Sequence, residues 1–237
     1  MLADLIGDVS SIDDVIATMR AIDGALSDDD GVKWFNYLYL AVTEAVQQSD
    51  AAAWRDWPAL QQLDVVFARL YFEAIVTSER EPILTARAWR PLLRARHDRK
   101  LARIQFALAG MNAHINHDLP IALGRMAEPA GEYPSRDGAR YADFGHVNSI
   151  LERTEALVRD ELAIGLVGDI DRALGDLDSV LALWKVRKAR EAAWTNGEVL
   201  WHLRGVPHLR REFLARLDSL TGFAGRGLLV PVLGTPV

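Results

Sequence analysis

The apolar positions along the chain repeat with the period of an α-helix almost from end to end. In the first such segment, Ser11 has the chemistry of an N-cap and Asp14 follows it in the first turn, so a helix should begin here. The acidic run 28–30 predicts the start of a second helix that is apolar on most faces, which indicates a central position. Pro58 fits the first turn of a third helix.

The rest of the chain continues in the same pattern. We expect a long helix from about residue 98 toward Pro120, a helix over 144–166 capped by Asp143, and further helices over 170–204 and 207–220. The clearest loop is 128–140, where Pro and Gly interrupt the periodicity. The sequence therefore predicts an all-α, single-domain bundle of about seven to nine helices over residues 1–221. An irregular tail rich in Gly and Pro should follow over 222–237.

Composition narrows the classes of protein and of site. A chain of 237 residues buries enough surface to fold without a disulfide or a structural metal. Because it has no cysteine, a thiolate zinc site and a cysteine nucleophile are excluded. The net charge of −6 gives no general attraction to nucleic acid or to anionic lipid.

The expected cellular location and classes of partner depend on targeting, membrane and binding motifs that the sequence lacks. No apolar run approaches the ~20 residues of a membrane span, and the N-terminal residues do not have the pattern of a signal peptide. We therefore expect a cytoplasmic protein without membrane or nucleic-acid partners. The basic stretch 90–100 favours a solvated helix face over a phosphate or nucleic-acid patch. No nucleotide cofactor motif occurs.

The segment 110–120 concentrates polar side chains within an apolar helical pattern. His114 and Asp118 are four residues apart and share one helix face, as do Asn112 and Asn116. Pro120 should kink or end the helix, since it cannot donate a backbone hydrogen bond. Buried polar groups need partners, so three interpretations stay open. The pair can be an imidazole oriented by a carboxylate, two ligands of a divalent metal, or part of a structural polar network.

A second polar residue, Asp64, lies at the edge of the apolar stripe of the third helix. A buried carboxylate needs a cation, a metal or several donors. His114, Arg190 or a bound ligand could serve this purpose. The alternative is a partly exposed Asp64 that pairs with Arg69 or Lys33.

Aromatic residues supply candidates for a ligand pocket. Tyr71 lies on the same side of its helix as Asp64, and Trp194 and Trp201 lie seven residues apart on one stripe near Arg190. Such stripes usually belong to the core. If a pocket exists, we expect Tyr71, Arg190, Trp194 and Trp201 to line it and bind substrate.

The sequence resembles a bacterial, mainly actinobacterial, family known only as a domain of unknown function. The segment G-M-N-A-H-I-N-x-D-L at 110–119 is the most specific part of the resemblance. The resemblance implies an all-helical fold and no established reaction. It places characteristic polar residues at Asp64, Asn112, His114, Asn116, Asp118, Asp143 and Asn148.

The chain is also loosely similar to the helical zinc-dependent phospholipase C and nuclease group. His114, Asp118 and Pro120 fit the helix of that group, but residues 121–128 contain no further histidine. The N-terminal Trp ligand of that group also has no counterpart, because this chain starts with Met-Leu. These departures argue against a trinuclear zinc centre.

The sequence leads to one main hypothesis about function. The protein is an enzyme that acts on a small, largely apolar molecule by hydrolysis or cyclisation. His114 is its acid–base group, Asp118 or Asp64 orients the imidazole, and Asn112 and Asn116 form hydrogen bonds to the substrate.

Two alternatives remain beside this hypothesis. One is a metal-dependent hydrolase with His114, Asp118 and Asp64 as ligands of a divalent cation. The other is a non-catalytic helical binding or scaffold protein in which the polar cluster only fixes helix packing. The cofactor, the substrate and the oligomeric state stay open.

Overall fold

The structure is a computed structural model that describes residues 1–129, 131–163 and 186–231. In these ranges it forms one helical domain with eight helices and no strand, which confirms the predicted fold class. The helices are α1 (Ile12–Ala25), α2 (Gly31–Gln47), α3 (Trp57–Arg80), α4 (Arg90–Ala95), α5 (Arg103–Ala113, continued by the π-helical turn His114–Asp118 and by Leu119–Ala127), α6 (Ala139–Ala163), α7 (Val186–His202) and α8 (Pro207–Leu228).

None of the helices in the described ranges combines the length and the apolar character that a membrane crossing needs.

The first three helices begin where the sequence predicts. Ser11 accepts a hydrogen bond from the backbone N–H of Asp14, whose carboxylate bonds back to the cap. Asp30 caps α2, and Asp56 caps α3 with Pro58 in its first turn. Each such cap stabilises its helix by about 1 kcal/mol because it satisfies backbone donors that otherwise lack partners.

Helix α5 runs through the centre of the domain and packs closely against α2. Every residue from Ile104 to Ala113 is buried. Gly110 lies directly against the ring of Phe35, and Gly31 of α2 lies against the ring of Phe106, so a Cβ atom at either glycine would clash. The two glycines therefore allow the close contact that brings α2 against the polar residues of α5.

The helix does not end at Pro120, contrary to one alternative of the sequence prediction. It widens into the π-helical turn His114–Asp118, in which the N–H of Leu119 bonds to the carbonyl of His114, and then continues to Ala127. Such turns are rare in proteins, and those that occur are often found at functional sites. We call residues His114–Asp118 the π-turn.

The predicted cap at Asp143 is wrong, because α6 already begins at Ala139. The Asp143 carboxylate instead accepts hydrogen bonds from the backbone N–H groups of Arg55 and Asp56, at 2.7–3.1 Å. A residue that resembles a local cap therefore fixes the start of α3, which is distant in sequence.

The predicted irregular tail is wrong for residues 222–228, because α8 continues to Leu228. Its glycines serve close packing: Gly222 lies against the backbone of Arg87, and Gly225 lies against Pro91 and Asn112. Two segments lie outside the described residues, 164–185 and 232–237. The first contains the predicted end of one helix at 166 and the predicted start of the next at 170, and the second belongs to the predicted tail.

Candidate active site

The polar residues of the π-turn lie in the core of the domain. His114 and Asp118 are only 1% and 2% exposed. Tertiary packing surrounds them with α2 and α3 on one side and with the segment before α4 and helix α8 on the other. Because water does not solvate these groups, their protein partners determine their protonation.

Asp118 is the acceptor at the centre of this cluster. Its Oδ2 accepts from Trp89 Nε1 at 3.0 Å and contacts His114 Nδ1 at 3.0 Å, while its Oδ1 contacts His117 Nδ1 at 2.7 Å. Burial would raise the pKa of Asp118, but the hydrogen bonds to His114 and His117 outweigh it, and the pKa falls below 3.8. Asp118 is therefore a carboxylate, and both imidazoles donate to it through Nδ1.

His114 carries its proton on one nitrogen and leaves the other available. Burial is the main effect on its pKa and lowers it below 6.5, against the opposing effect of Asp118, so the ring is neutral near pH 7. With Nδ1 donating to Asp118, Nε2 is the unprotonated nitrogen. Within the described chain, Nε2 is buried without a hydrogen-bond partner.

Aromatic rings hold the imidazole in place. The ring of Phe67 stacks on it with a centroid distance of 3.5 Å and an interplanar angle of 6°. Phe35 and Tyr39 contact it edge-on, with centroid distances of 5.6 and 4.5 Å. These contacts and the bond to Asp118 fix the direction of Nε2.

The His114 ring forms part of the wall of a cavity of about 50 Å³, which we call the His114 cavity. Its other walls come from α2, α3, α5, α6 and α7 and are largely apolar. The two charged side chains in the lining are Asp64 and Arg190. The complete lining is Tyr39, Val42, Thr43, Val46, Leu60, Leu63, Asp64, Phe67, Met111, His114, Ile115, Leu119, Phe144, Val147, Leu151 and Arg190.

Asp64 is half-buried, and burial raises its pKa to about 7, although the charge of Arg190 acts in the opposite direction. Its Oδ2 has no hydrogen-bond partner in the described ranges. Neither Arg69 nor Lys33 pairs with it, since these bond to the Asp8–Val9 segment and to Asp28. Asp64 therefore faces the cavity with a carboxyl group that is incompletely satisfied.

Arg190 belongs to the same lining and is 6% exposed. Its Nη2 donates to the carbonyl of Phe144 at 2.8 Å, and its guanidinium lies 4.1 Å from the centre of the Phe144 ring. No ion pair of 4.0 Å or less joins it to Asp64 among the described residues, and its Nε has no partner. Burial lowers its pKa to about 10, so it keeps its positive charge near neutral pH.

Three buried polar atoms without partners thus belong to side chains of one small cavity: His114 Nε2, Asp64 Oδ2 and Arg190 Nε. An unsatisfied buried donor or acceptor costs about 1–3 kcal/mol, so such groups need an explanation. These three atoms are therefore the buried polar atoms of the cavity lining that still lack a hydrogen bond in the described ranges.

A chain of titratable groups leads from His114 toward the surface. His117, which bonds to Asp118, places its Nε2 3.6 Å from Oδ1 of Asp218 on α8. Burial would lower the pKa of His117, but Asp118 and Asp218 together raise it above 6.5. The Asp218 side chain is 21% exposed. The series of contacts His114–Asp118–His117–Asp218 therefore connects the cavity wall to solvent.

The two asparagines predicted to be catalytic lie elsewhere. Asn112 donates to the carbonyl of Thr221 on α8 at 2.9 Å, and Asn116 donates to Oδ1 of Asn112 at 3.1 Å. Neither belongs to the described lining of the cavity. Their contacts indicate that they attach α8 to α5.

Of the four predicted ligand-binding residues, Arg190 alone belongs to the described lining of the His114 cavity. Tyr71 is buried behind the imidazole, where its hydroxyl bonds to Asn36 at 3.3 Å. Trp194 lines a neighbouring cavity of about 30 Å³. Trp201 packs against the guanidinium of Arg204 at 3.9 Å.

The predicted metal ligands do not form a metal site. In the ranges that the structure describes, no group of three or more His, Asp or Glu side chains is arranged to hold a metal ion. The oxygens of Asp118 already accept from three N–H donors, which leaves His114 and Asp64 as the remaining members of the predicted set.

Sequence reasoning missed three members of the site: Trp89, Phe67 as the stacking partner, and Asp218. Phe67 follows Asp64 by three residues on α3, and this helical spacing was the available signal. Trp89 and Asp218 lie far from the π-turn in sequence, and only tertiary packing brings them to it.

Comparisons with known proteins place the chain without assigning a reaction. No curated protein and no solved structure matches it. The model of a family of unknown function, DUF5995, matches residues 12–231, which is most of the chain. This confirms the expected resemblance to a family of unknown function: the protein belongs to the DUF5995 family.

Proposed function

We propose that the protein is an enzyme that performs acid–base chemistry on a small, largely apolar molecule, with His114 as the group that accepts and returns the proton. The observation that carries the proposal is the orientation of His114: Nδ1 bonds to Asp118, while Nε2 has no partner among the described residues and the ring lines a cavity. A neutral imidazole with one free nitrogen is suited to act as a general base.

Asp118 has two roles in this proposal. It keeps the proton of the neutral ring on Nδ1, and it stabilises the imidazolium that forms when Nε2 takes a proton from the substrate. Because burial disfavours a charged imidazole, an adjacent carboxylate is needed for the proton transfer to occur.

Asp64 and Arg190 would orient the polar part of the substrate. Arg190 has a donor without a partner for a carbonyl or carboxylate oxygen. The pKa of Asp64 is about 7, so near neutral pH it can either donate or accept a proton. A base and a second proton-transfer group on one apolar cavity suit a hydrolysis or a cyclisation.

Substrate entry requires movement of the cavity wall, since about 50 Å³ holds only a few water molecules. The neighbouring cavity of about 30 Å³ shares Leu60, Leu63 and Phe144 with the His114 cavity, and exposed Arg140 also lines it. Displacement of the half-buried Leu63 side chain would join the two spaces. We place the substrate entrance there.

The proton could return to solvent through Asp118, His117 and Asp218. This route leads away from the cavity on the opposite side of the imidazole, so it works while the cavity is closed around a substrate. We expect the enzyme to work in the bacterial cytoplasm.

One observation favours a second candidate, a non-catalytic protein in which the cluster only fixes helix packing. Asp118 accepts from residues of the segment before α4 and of the π-turn, and His117 extends the network to α8. Such a network would hold these elements together without any reaction. The two candidates differ in what replacement of His114 does.

The test compares the wild-type protein with His114→Gln on a panel of short-chain nitrophenyl esters and amides. The enzyme proposal predicts turnover of at least one compound, reduced at least ~100-fold in His114→Gln. Replacement of exposed His208 on α8 by Gln is the matched control and should leave the rate unchanged. Equal rates in wild type and His114→Gln for every compound, with loss of stability in His114→Gln, would instead support the structural candidate.

A further inference from the structure

A second feature of the fold, separate from the His114 cavity, is an open groove between the α4 segment and α8. Its volume is about 790 Å³. Four arginines face it, and its lining contains no carboxylate among the described residues. We call it the arginine groove, and its lining is Arg87, Arg90, Pro91, Arg94, Ala95, Ser219, Arg226 and Leu229.

The basic stretch 90–100 divides into two parts with different environments. Arg96 pairs with buried Asp30 within hydrogen-bond distance, and Arg99 pairs with Asp29 at 3.0 Å. Arg90 and Arg94 point to the other side and line the groove. In the described part of the chain, acidic residues therefore compensate Arg96 and Arg99 but not Arg90 and Arg94.

The groove arginines have no ion-pair partner in the part of the chain that the structure describes. Arg87 donates to the Ser219 hydroxyl at 2.8 Å, and Arg90 donates to two backbone carbonyls, both at 2.8 Å. Arg226 lies over the ring of Phe223 at 5.6 Å, and Arg94 is exposed. These contacts position the guanidinium groups and leave their charges uncompensated.

The acidic residue next to Ser219 in the sequence forms no ion pair with the groove arginines in the described ranges. Asp218 precedes the groove residue Ser219, but its carboxylate accepts from the backbone N–H of Ala88 at 2.8 Å and pairs with His117. Four positive charges therefore share one concave surface in a protein of net charge −6. Their mutual repulsion is relieved when an anion binds between them.

The chemistry of the groove selects a phosphate group. Guanidinium forks match phosphate oxygens in bidentate geometry, and several of them favour a ligand with more than one negative charge. The volume lies in the range of small-molecule sites, roughly 300–1,000 Å³. Pro91, Ala95 and Leu229 add an apolar wall for the remainder of the ligand.

We propose that the arginine groove is a binding site for a small molecule that carries two or more phosphate charges, such as a diphosphate. The site is independent of the acid–base function proposed for His114. Arg94 and Arg226 come from opposite walls, α4 and α8, so a bound diphosphate would bridge the two helices.

The test uses inorganic pyrophosphate and isothermal titration calorimetry on the full chain. Wild-type protein should bind pyrophosphate. Arg94→Ala and Arg226→Ala should each raise the Kd about tenfold, and the double variant should show no measurable binding. Both side chains are exposed, so thermal unfolding without ligand should stay unchanged.

Arg211→Ala provides the matched control, since Arg211 is an exposed arginine of α8 outside the groove lining. It should bind pyrophosphate as the wild type does. Three results would overturn the proposal: no binding by the wild type, an equal loss in Arg211→Ala, or binding only to vesicles of anionic phospholipid and not to pyrophosphate. His114→Gln should retain full binding, which separates this test from that of the acid–base function.

Discussion

His114 donates through Nδ1 to Oδ2 of Asp118 at 3.0 Å, while its Nε2 is buried without a partner among the described residues. The two nitrogens differ: Nδ1 bonds to a carboxylate, whereas Nε2 has no partner among the described residues. The ring that carries both lies in the wall of the His114 cavity. An imidazole that served only as a core hydrogen-bonding group would be expected to have both nitrogens satisfied.

Replacement of Asp118 by Asn should remove the preference of His114 for the tautomer with its proton on Nδ1. The amide oxygen can replace only one acceptor of the carboxylate, so some of the three N–H donors lose their partner. We expect a loss of about 2–4 kcal/mol in the free energy of unfolding and a mixture of His114 tautomers. Urea unfolding measures the first, and ¹⁵N NMR of labelled histidine measures the second. Unchanged stability would show that the network is not formed.

Asp64→Asn should stabilise the protein at alkaline pH. The pKa of Asp64 is 3.8 in the unfolded chain and about 7 in the fold. Ionisation of Asp64 therefore lowers the stability as pH rises from about 4, and the full cost is present above about pH 7. Asn removes that cost. We expect Asp64→Asn to be more stable than wild type by about 1–3 kcal/mol at about pH 8, with a smaller difference at about pH 4.

Asp137→Asn, an exposed change of the same charge, is the control for Asp64→Asn and should show no such pH dependence. Destabilisation of the protein by Asp64→Asn at alkaline pH would rule out an ionisation cost at Asp64. It would mean that the carboxylate makes a favourable structural contact.

His117→Gln should alter the pH dependence of stability in the opposite sense. The pKa of His117 is raised above 6.5 in the fold, so its stabilising charge is fully present below about pH 6.5 and is lost as pH rises through the folded pKa. The variant should lose about 1–3 kcal/mol at about pH 6 and approach the wild type at alkaline pH. Chemical unfolding across this range measures the effect, with His208→Gln as the exposed control. A loss that is equal at both ends would refute a charged His117.

Asn112→Ala should separate structure from chemistry. Its amide holds Thr221 of α8, so we expect a loss of about 1–2 kcal/mol in stability. The ¹⁵N signals of His114 should keep their positions, since Asn112 lies outside the described cavity lining. A strong shift of the His114 signals would restore the catalytic role that the sequence suggested for Asn112.

The sequence was sufficient to predict the fold class and the His114–Asp118 pair of the site. Helical periodicity identifies the helices, and spacing along one helix brings His114 and Asp118 together because both belong to the same turn. The burial of these residues followed from the apolar sequence around them.

Long-range contacts and glycine-rich segments were beyond local reasoning. Asp143 looks like the cap of its own helix, but its partners lie 87 and 88 residues earlier in the chain. The glycines at 222 and 225 suggest an irregular tail, although their small size is what allows α8 to pack as a helix against Arg87 and Pro91. Only the folded structure distinguishes a glycine at a turn from a glycine at a close contact.

The acid–base role of His114 requires that its ring, which lines the cavity, has an unprotonated Nε2 near neutral pH. Long-range ¹H–¹⁵N NMR of the ¹⁵N-histidine-labelled protein at about pH 7 measures this directly. We expect a protonated Nδ1 and an unprotonated Nε2 in the wild type, and we expect Asp118→Asn to lose that pattern. A wild-type spectrum in which His114 carries its proton on Nε2, or on both nitrogens, would rule out Nε2 as the proton acceptor.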